Sequence, residues 1–157
     1  MSQIREIPAG KVIGIKTSFF TIMNAEKYDA KVIPSAWQSF FAQYHSSTLP
    51  RRNAFYGAVV PSESIDVPMT YVAGVLVDSN TEVPEGFASV DIPAGKYFCA
   101  KHLGPMINLA PSYGNAYGVE FPASGLDMRP APHLEIYESD KEPMDSDYEF
   151  IIAIPVN

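Results

Sequence analysis

Cysteine is almost missing from this chain. Cys99 is the single one in 157 residues, which excludes an internal disulfide and a cysteine-built metal cluster and fits a reducing cytoplasm. Basic residues are scarce. Eleven Lys and Arg stand against eighteen Asp and Glu, giving a formal charge of −7 and a pI near 4.8. A direct nucleic-acid surface, which needs clustered positive charge, is not expected. Long apolar runs are missing too: stretches such as Phe150 to Pro155 fall far short of the roughly 20 residues that cross a bilayer. Arg5, Glu6 and Pro8 interrupt the start, so no signal peptide is expected. There is no G-x-S-x-G elbow, P-loop or dinucleotide glycine fingerprint. His45, His102 and His133 are dispersed, without the spacing of a metal site. The acidic stretch Glu138 to Asp147, with its lone Lys141, lacks a calcium-loop pattern and reads as a solvated hairpin loop. No cofactor is implied.

What is present is a repetition. Ile7-Pro8-Ala9-Gly10-Lys11 recurs as Ile92-Pro93-Ala94-Gly95-Lys96, and a second lysine follows each copy at the same distance, Lys16 and Lys101. Internal repeats constrain architecture before anything else does. After the first copy, Val12 to Phe19 is rich in β-branched residues and reads as a strand. Pro34 opens a helical pattern in which Trp37, Phe40, Phe41 and Tyr44 form one aromatic face. A polar loop from Ser46 to Asn53 follows, then strands over Ala54 to Val60 and Met69 to Val77.

The second half begins near Ser89 and repeats the order. A strand spans Tyr97 to Leu103, and a helix runs from about Leu109 to Val119, with Asn108 as its cap and Pro111 in its first turn. A break follows at Pro122-Ala123-Ser124-Gly125, and strands cover His133 to Glu138 and Tyr148 to Val156. The closing strands align Thr70-Tyr71 with Asp147-Tyr148, an offset of 77 rather than the 85 of the pentapeptides. The expectation is one α+β domain over 1–157, built from two βαββ units (about 7–80 and 89–157) related by a pseudo-twofold axis. They form an antiparallel sheet with two helices packed on it and a pocket at the seam.

Chemistry concentrates at Glu135. In the strand around it, alternation puts Glu135 and Tyr137 on one face and Leu134 and Ile136 on the other. A carboxylate flanked by apolar residues is either on an exposed face or forms the anionic floor of a pocket, where burial demands a partner. Aromatic side chains are plentiful at 12% of the chain. Trp37 and Phe41 on the first helix, Tyr56 and Tyr71 on strands, and Tyr113 on the second helix lie on elements that should meet at the seam. Rings around one carboxylate suit a hydrophobic cation. Cys99, between Phe98 and Ala100 in a strand, reads as a buried structural thiol.

The order of these segments resembles the GyrI-like (gyrase-inhibitor-like) effector-binding domain family. The shared features are the two Ile-Pro-Ala-Gly-Lys strands, the Pro-led Trp helix, Tyr56-Gly57, Tyr71-Val72-Ala73-Gly74, Phe121-Pro122-Ala123-Ser124-Gly125 and Leu134-Glu135-Ile136-Tyr137. That module serves many AraC- and MerR-type bacterial regulators and occurs alone in integron cassettes. The resemblance implies a duplicated βαββ fold with a deep pocket, in which Glu135 neutralises a cationic ligand with Trp37 and Tyr71 beside it. Phe41, Tyr56, Tyr113 and Tyr137 are expected in its wall. No helix-turn-helix accompanies the module, so a stand-alone receptor for cationic amphipathic small molecules is expected. Its output would run through a separate DNA-binding regulator or gyrase. Two alternatives stay open. One is a hydrolase of strained cyclopropane drugs, with Glu135 as general base assisted by Tyr71 or another phenol. The other is a gyrase-inhibitory protein acting through the Glu138 to Asp147 loop.

Overall fold

The computed structural model describes residues 3–21 and 23–157. Among them eight strands form one antiparallel sheet: β1 (Gln3–Ile7), β2 (Gly10–Phe19), β3 (Phe55–Val60), β4 (Met69–Val77), β5 (Ala88–Ile92), β6 (Gly95–Leu103), β7 (His133–Tyr137) and β8 (Glu149–Val156). The spatial order is β1-β6-β8-β7-β3-β4-β2-β5. Helix α1 (Val32–Tyr44) packs on the first half. A composite helical segment covers the second: a 3-10 turn (Met106–Asn108), α2 (Leu109–Asn115), a π turn (Ala116–Glu120) and α3 (Phe121–Ser124). The architecture is the α+β duplication read from the sequence, with the trios β2-β4-β3 and β6-β8-β7 meeting at the β3–β7 seam. No helix among the described residues is long and apolar enough to cross a membrane.

Two strands escaped the sequence reading. β1 and β5 are five residues each and largely polar on one face, too short to produce a strong periodic signal. They exchange partners: β1 pairs with β6 of the other half, and β5 with β2. The repeated pentapeptide is the crossover. Ile7 faces Gly95 on one edge of the sheet, while Gly10, three residues later, faces Ile92 at the other edge. Three Cα steps reach at most about 11 Å, so the sheet must curl until its edges come together. The concave face packs on itself, gathering Ile7, Val12, Ile92, Tyr97, Cys99 and Ile136 from strands across the whole sheet. At Gly14 opposite Gly74 the backbones cross so closely that a Cβ on either would meet carbonyl oxygen at 1.8 or 2.0 Å.

The ladder also corrects the alignment of the halves. Lys11 pairs with Val77 and the repeat-equivalent Lys96 pairs with Val156, so the closing strands are offset by 156 − 77 = 79 residues. Tyr71 therefore corresponds to Phe150, not Tyr148, which precedes β8. Equivalence follows backbone register, and the Tyr–Tyr match was a coincidence of residue type. By the same reasoning Gly57, paired with Ala73, corresponds to Glu135, paired with Ile152. These two residues are also direct cross-strand partners, so the pseudo-twofold axis passes between them.

The helices differ from expectation at their ends. α1 starts two residues before Pro34. Its C-terminal carbonyls, at Tyr44 and His45, accept hydrogen bonds from the Arg51 guanidinium. Asn108 sits at the cap position of α2 without a side-chain hydrogen bond, because the preceding 3-10 turn engages the Leu109 N–H through the Met106 carbonyl. Pro122 to Ser124 continue the helix, and the break comes at Gly125, whose φ of 72° suits a residue without Cβ.

Candidate functional site

Glu135 lies at the middle of β7 on the outer, helix-covered face of the sheet, with Leu134 and Ile136 turned into the concave core. It is 7% exposed. Its carboxylate accepts three phenol hydroxyls: Oε1 takes Tyr71 at 2.7 Å and Tyr137 at 2.8 Å, and Oε2 takes Tyr113. The Trp37 indole N–H donates to the Tyr71 oxygen at 2.9 Å. Four elements thus converge: β7 supplies Glu135 and Tyr137, β4 supplies Tyr71, α1 supplies Trp37, and α2 supplies Tyr113.

The opposite residue makes this convergence feasible. A Cβ on Gly57 would stand 2.2 Å from the Tyr71 hydroxyl and 2.8 Å from Glu135 Oε1. Of the two equivalent positions on the axis, one carries the carboxylate and the other leaves the space it occupies. The duplicated fold therefore has room for one central charge.

Electrostatically the site is a buried anion held by neutral groups. Among the described residues the ion pairs are Arg5–Glu138, Lys101–Glu149 and Lys141–Asp147, all peripheral. No lysine or arginine among them pairs with Glu135. Burial, reinforced by the Glu135 charge, pushes the phenols of Tyr71, Tyr113 and Tyr137 well above their ordinary range, so all three remain donors. Phenol donors stabilise the anion but leave its charge unneutralised, and a low-dielectric setting makes that charge a strong attractor for a cation.

The remaining expected residues divide. Phe41, 38% exposed, stacks on Trp37 with centroids 5.9 Å apart and contacts Phe55 edge-on at 5.0 Å. It backs the tryptophan from the rim. Tyr56 does not join the group. It packs against the concave core near Arg5 and Cys99, on the other face of the sheet. It pairs with Ile136, and directly opposed residues share a face, so the register that puts Gly57 against Glu135 removes Tyr56 from the site.

Three contributors were missed. Phe150 stacks under Tyr137 at 4.8 Å, a role visible only once β8 is in register. Tyr117 runs nearly parallel to Tyr113 at 6.1 Å, and its i+4 spacing from Tyr113 was the available signal. His133 hydrogen-bonds Tyr117 through Nδ1 at 2.7 Å; its place two residues before Glu135 on one strand face could have revealed it. Burial pushes His133 down to about 4, so the ring is neutral at pH 7.

Other groups are structural. His102 is fully buried, with Nδ1 on the Ser112 hydroxyl (2.6 Å) and Nε2 on the Gly104 carbonyl (2.9 Å). Cys99 is buried in the concave core, and burial raises its thiol. Among the described residues no group of three or more His, Cys, Asp or Glu is placed to hold a metal.

Comparison with known proteins locates this fold. The Cass2 family, integron-associated effector binding protein, matches residues 3–156. The transcriptional regulator BrlR of Pseudomonas aeruginosa is 25% identical over 99% of this chain and 55% of its own length. The chain therefore spans about half of that relative. Among solved structures, SAV2435 bound to tetraphenylphosphonium aligns over 100% of this chain and 94% of its own, at TM-score 0.76 and 18% identity. The integron cassette protein VCH_CASS2 from the mobile metagenome of Vibrio cholerae aligns over 99% and 95%, at TM-score 0.68 and 20% identity. At these identities the two structures establish the shared fold.

Proposed function

The chain belongs to the integron-associated effector-binding family, and from that premise we propose that it is a receptor for hydrophobic cationic small molecules. The observation that carries the reading is Glu135: a buried carboxylate with three phenol donors, no counter-charge among the described residues, and aromatic rings on every side. A cation over such rings gains roughly 0.5–2 kcal/mol per face, in addition to its attraction to the carboxylate. The tetraphenylphosphonium held by SAV2435 is a ligand of this chemistry on the same fold.

Both carboxylate oxygens already accept phenol protons, which favours holding a cation over deprotonating a water. The hydrolase reading therefore gains nothing from the geometry. BrlR is a transcriptional regulator that extends beyond the part this chain matches, which supports a readout through gene regulation. The single unpaired Cys99 is in keeping with a cytoplasmic setting.

Titration with tetraphenylphosphonium, followed by Trp37 fluorescence, tests the proposal. Glu135→Gln keeps the shape of the side chain and removes its charge; the amide oxygen can still accept from Tyr71 and Tyr137, while the amide nitrogen donates to the Tyr113 oxygen. Affinity should fall at least about tenfold, or 1.4 kcal/mol, with thermal stability near wild type. Equal affinity in the two proteins would refute a role for the charge.

A further inference from the structure

We propose that His133 is a specificity-determining residue of the Glu135 site, a hydrogen-bond donor for an acceptor that the cationic ligand carries beside its charge. The inference rests on the receptor reading above and refines its ligand class: among hydrophobic cations, those that also bear a carbonyl or ether oxygen bind more tightly.

The argument begins with strand geometry. His133, Glu135 and Tyr137 alternate onto one face of β7, so the imidazole and the carboxylate leave the strand on the same side, from Cα atoms about 7 Å apart. A row of rings links them on the helix side. Tyr113, which donates to Glu135, lies nearly parallel to Tyr117 (6.1 Å, 10°), and Tyr117 nearly parallel to His133 (5.8 Å, 13°).

What His133 can offer follows if Tyr117 is the donor of their shared bond. Burial and the Glu135 charge raise the Tyr117 phenol, so it keeps its proton. Its hydrogen bond among the described residues is to His133 Nδ1. A phenol donating there requires a lone pair on Nδ1, which places the ring proton on Nε2. Among the described residues no acceptor engages Nε2, and His133 is only partly buried. His102 differs: both of its nitrogens are engaged within the fold. Of the two buried or half-buried histidines, His133 is the one with a donor to spare. Because burial keeps the ring neutral, this donor adds no positive charge beside a site that selects for cations.

A matched pair of probes tests this. Phenyltrimethylammonium and its 4-acetyl derivative differ by one carbonyl acceptor. In wild type the acetyl group should improve affinity about three- to tenfold, the range of one hydrogen bond. In His133→Phe the ratio of the two affinities should fall to about one, whatever change the two probes share. His133→Gln, which retains an N–H donor, should recover part of the preference, and Glu135→Gln should weaken both probes alike. Nitrogen NMR of the free protein should find the Nε2–H tautomer. An undiminished acetyl preference in His133→Phe, no preference in wild type, or an Nδ1–H tautomer would overturn the proposal and leave the receptor reading standing. Failure of both probes to bind wild type would bring down the receptor reading, and this refinement with it.

Discussion

At the scale of single residues the site depends on one side chain present and one absent. Glu135 collects three hydroxyls because its axis partner, Gly57, leaves the space they meet in. Tyr71 is fully buried, so its ring cannot swing away from a new methyl group. Gly57→Ala is therefore expected to destabilise the protein by about 1–3 kcal/mol, the usual cost of overpacking, and to weaken cation binding by disturbing the Tyr71–Glu135 bond. Denaturant unfolding and the tetraphenylphosphonium titration measure the two effects. Unaltered stability would mean that the packing around Tyr71 yields more easily than its burial indicates.

The two covering elements are held unequally. α1 buries Ala36, Phe40 and Tyr44 at four-residue intervals and has its last carbonyls covered by Arg51. Over residues 109–124 the second helical segment buries only Ala116 fully. Gly114 and Gly118 interrupt it, a π turn divides it, and side-chain bonds from Ser112, Tyr113 and Tyr117 tie it to the sheet. Local stability follows buried apolar contact. Amides of 106–124 should therefore exchange with deuterated solvent at least about tenfold faster than those of 36–44, and slow when a cation binds. Exchange as slow as that of α1 would indicate that those polar ties hold the segment as firmly as a packed core does.

At the scale of the whole molecule the exchange of β1 and β5 interlocks the two halves. Each leading strand completes the sheet edge of the other half, and the concave core draws on both. Deleting residues 1–7 removes the β1–β6 ladder and the Ile7 side chain from that core. The truncated protein should melt at lower temperature and still in one calorimetric transition, because neither half has a core of its own on the concave face. Two separated transitions would mean that the halves are independent units.

Local patterning made much of this protein readable without coordinates. β-branched runs marked β2 and β4, a four-residue aromatic period marked α1, and alternation along 133–138 put Glu135 with Tyr137 and apart from Leu134 and Ile136. Such signals arise between residues a few positions apart, and the chain carries them whatever it packs against. The partner exchange of β1 and β5, the equivalence of Tyr71 with Phe150, the displacement of Tyr56 to the concave face, and the meeting of Tyr117 with His133 had no local signature. The first three depend on register between strands far apart in the chain, where a shift of one residue sends every side chain to the opposite face; the last depends on how the helical segment docks on β7. The sequence determined which elements form and which carboxylate stands out among them; only the tertiary structure decided which rings surround it, because that choice is made by the pairing of backbones.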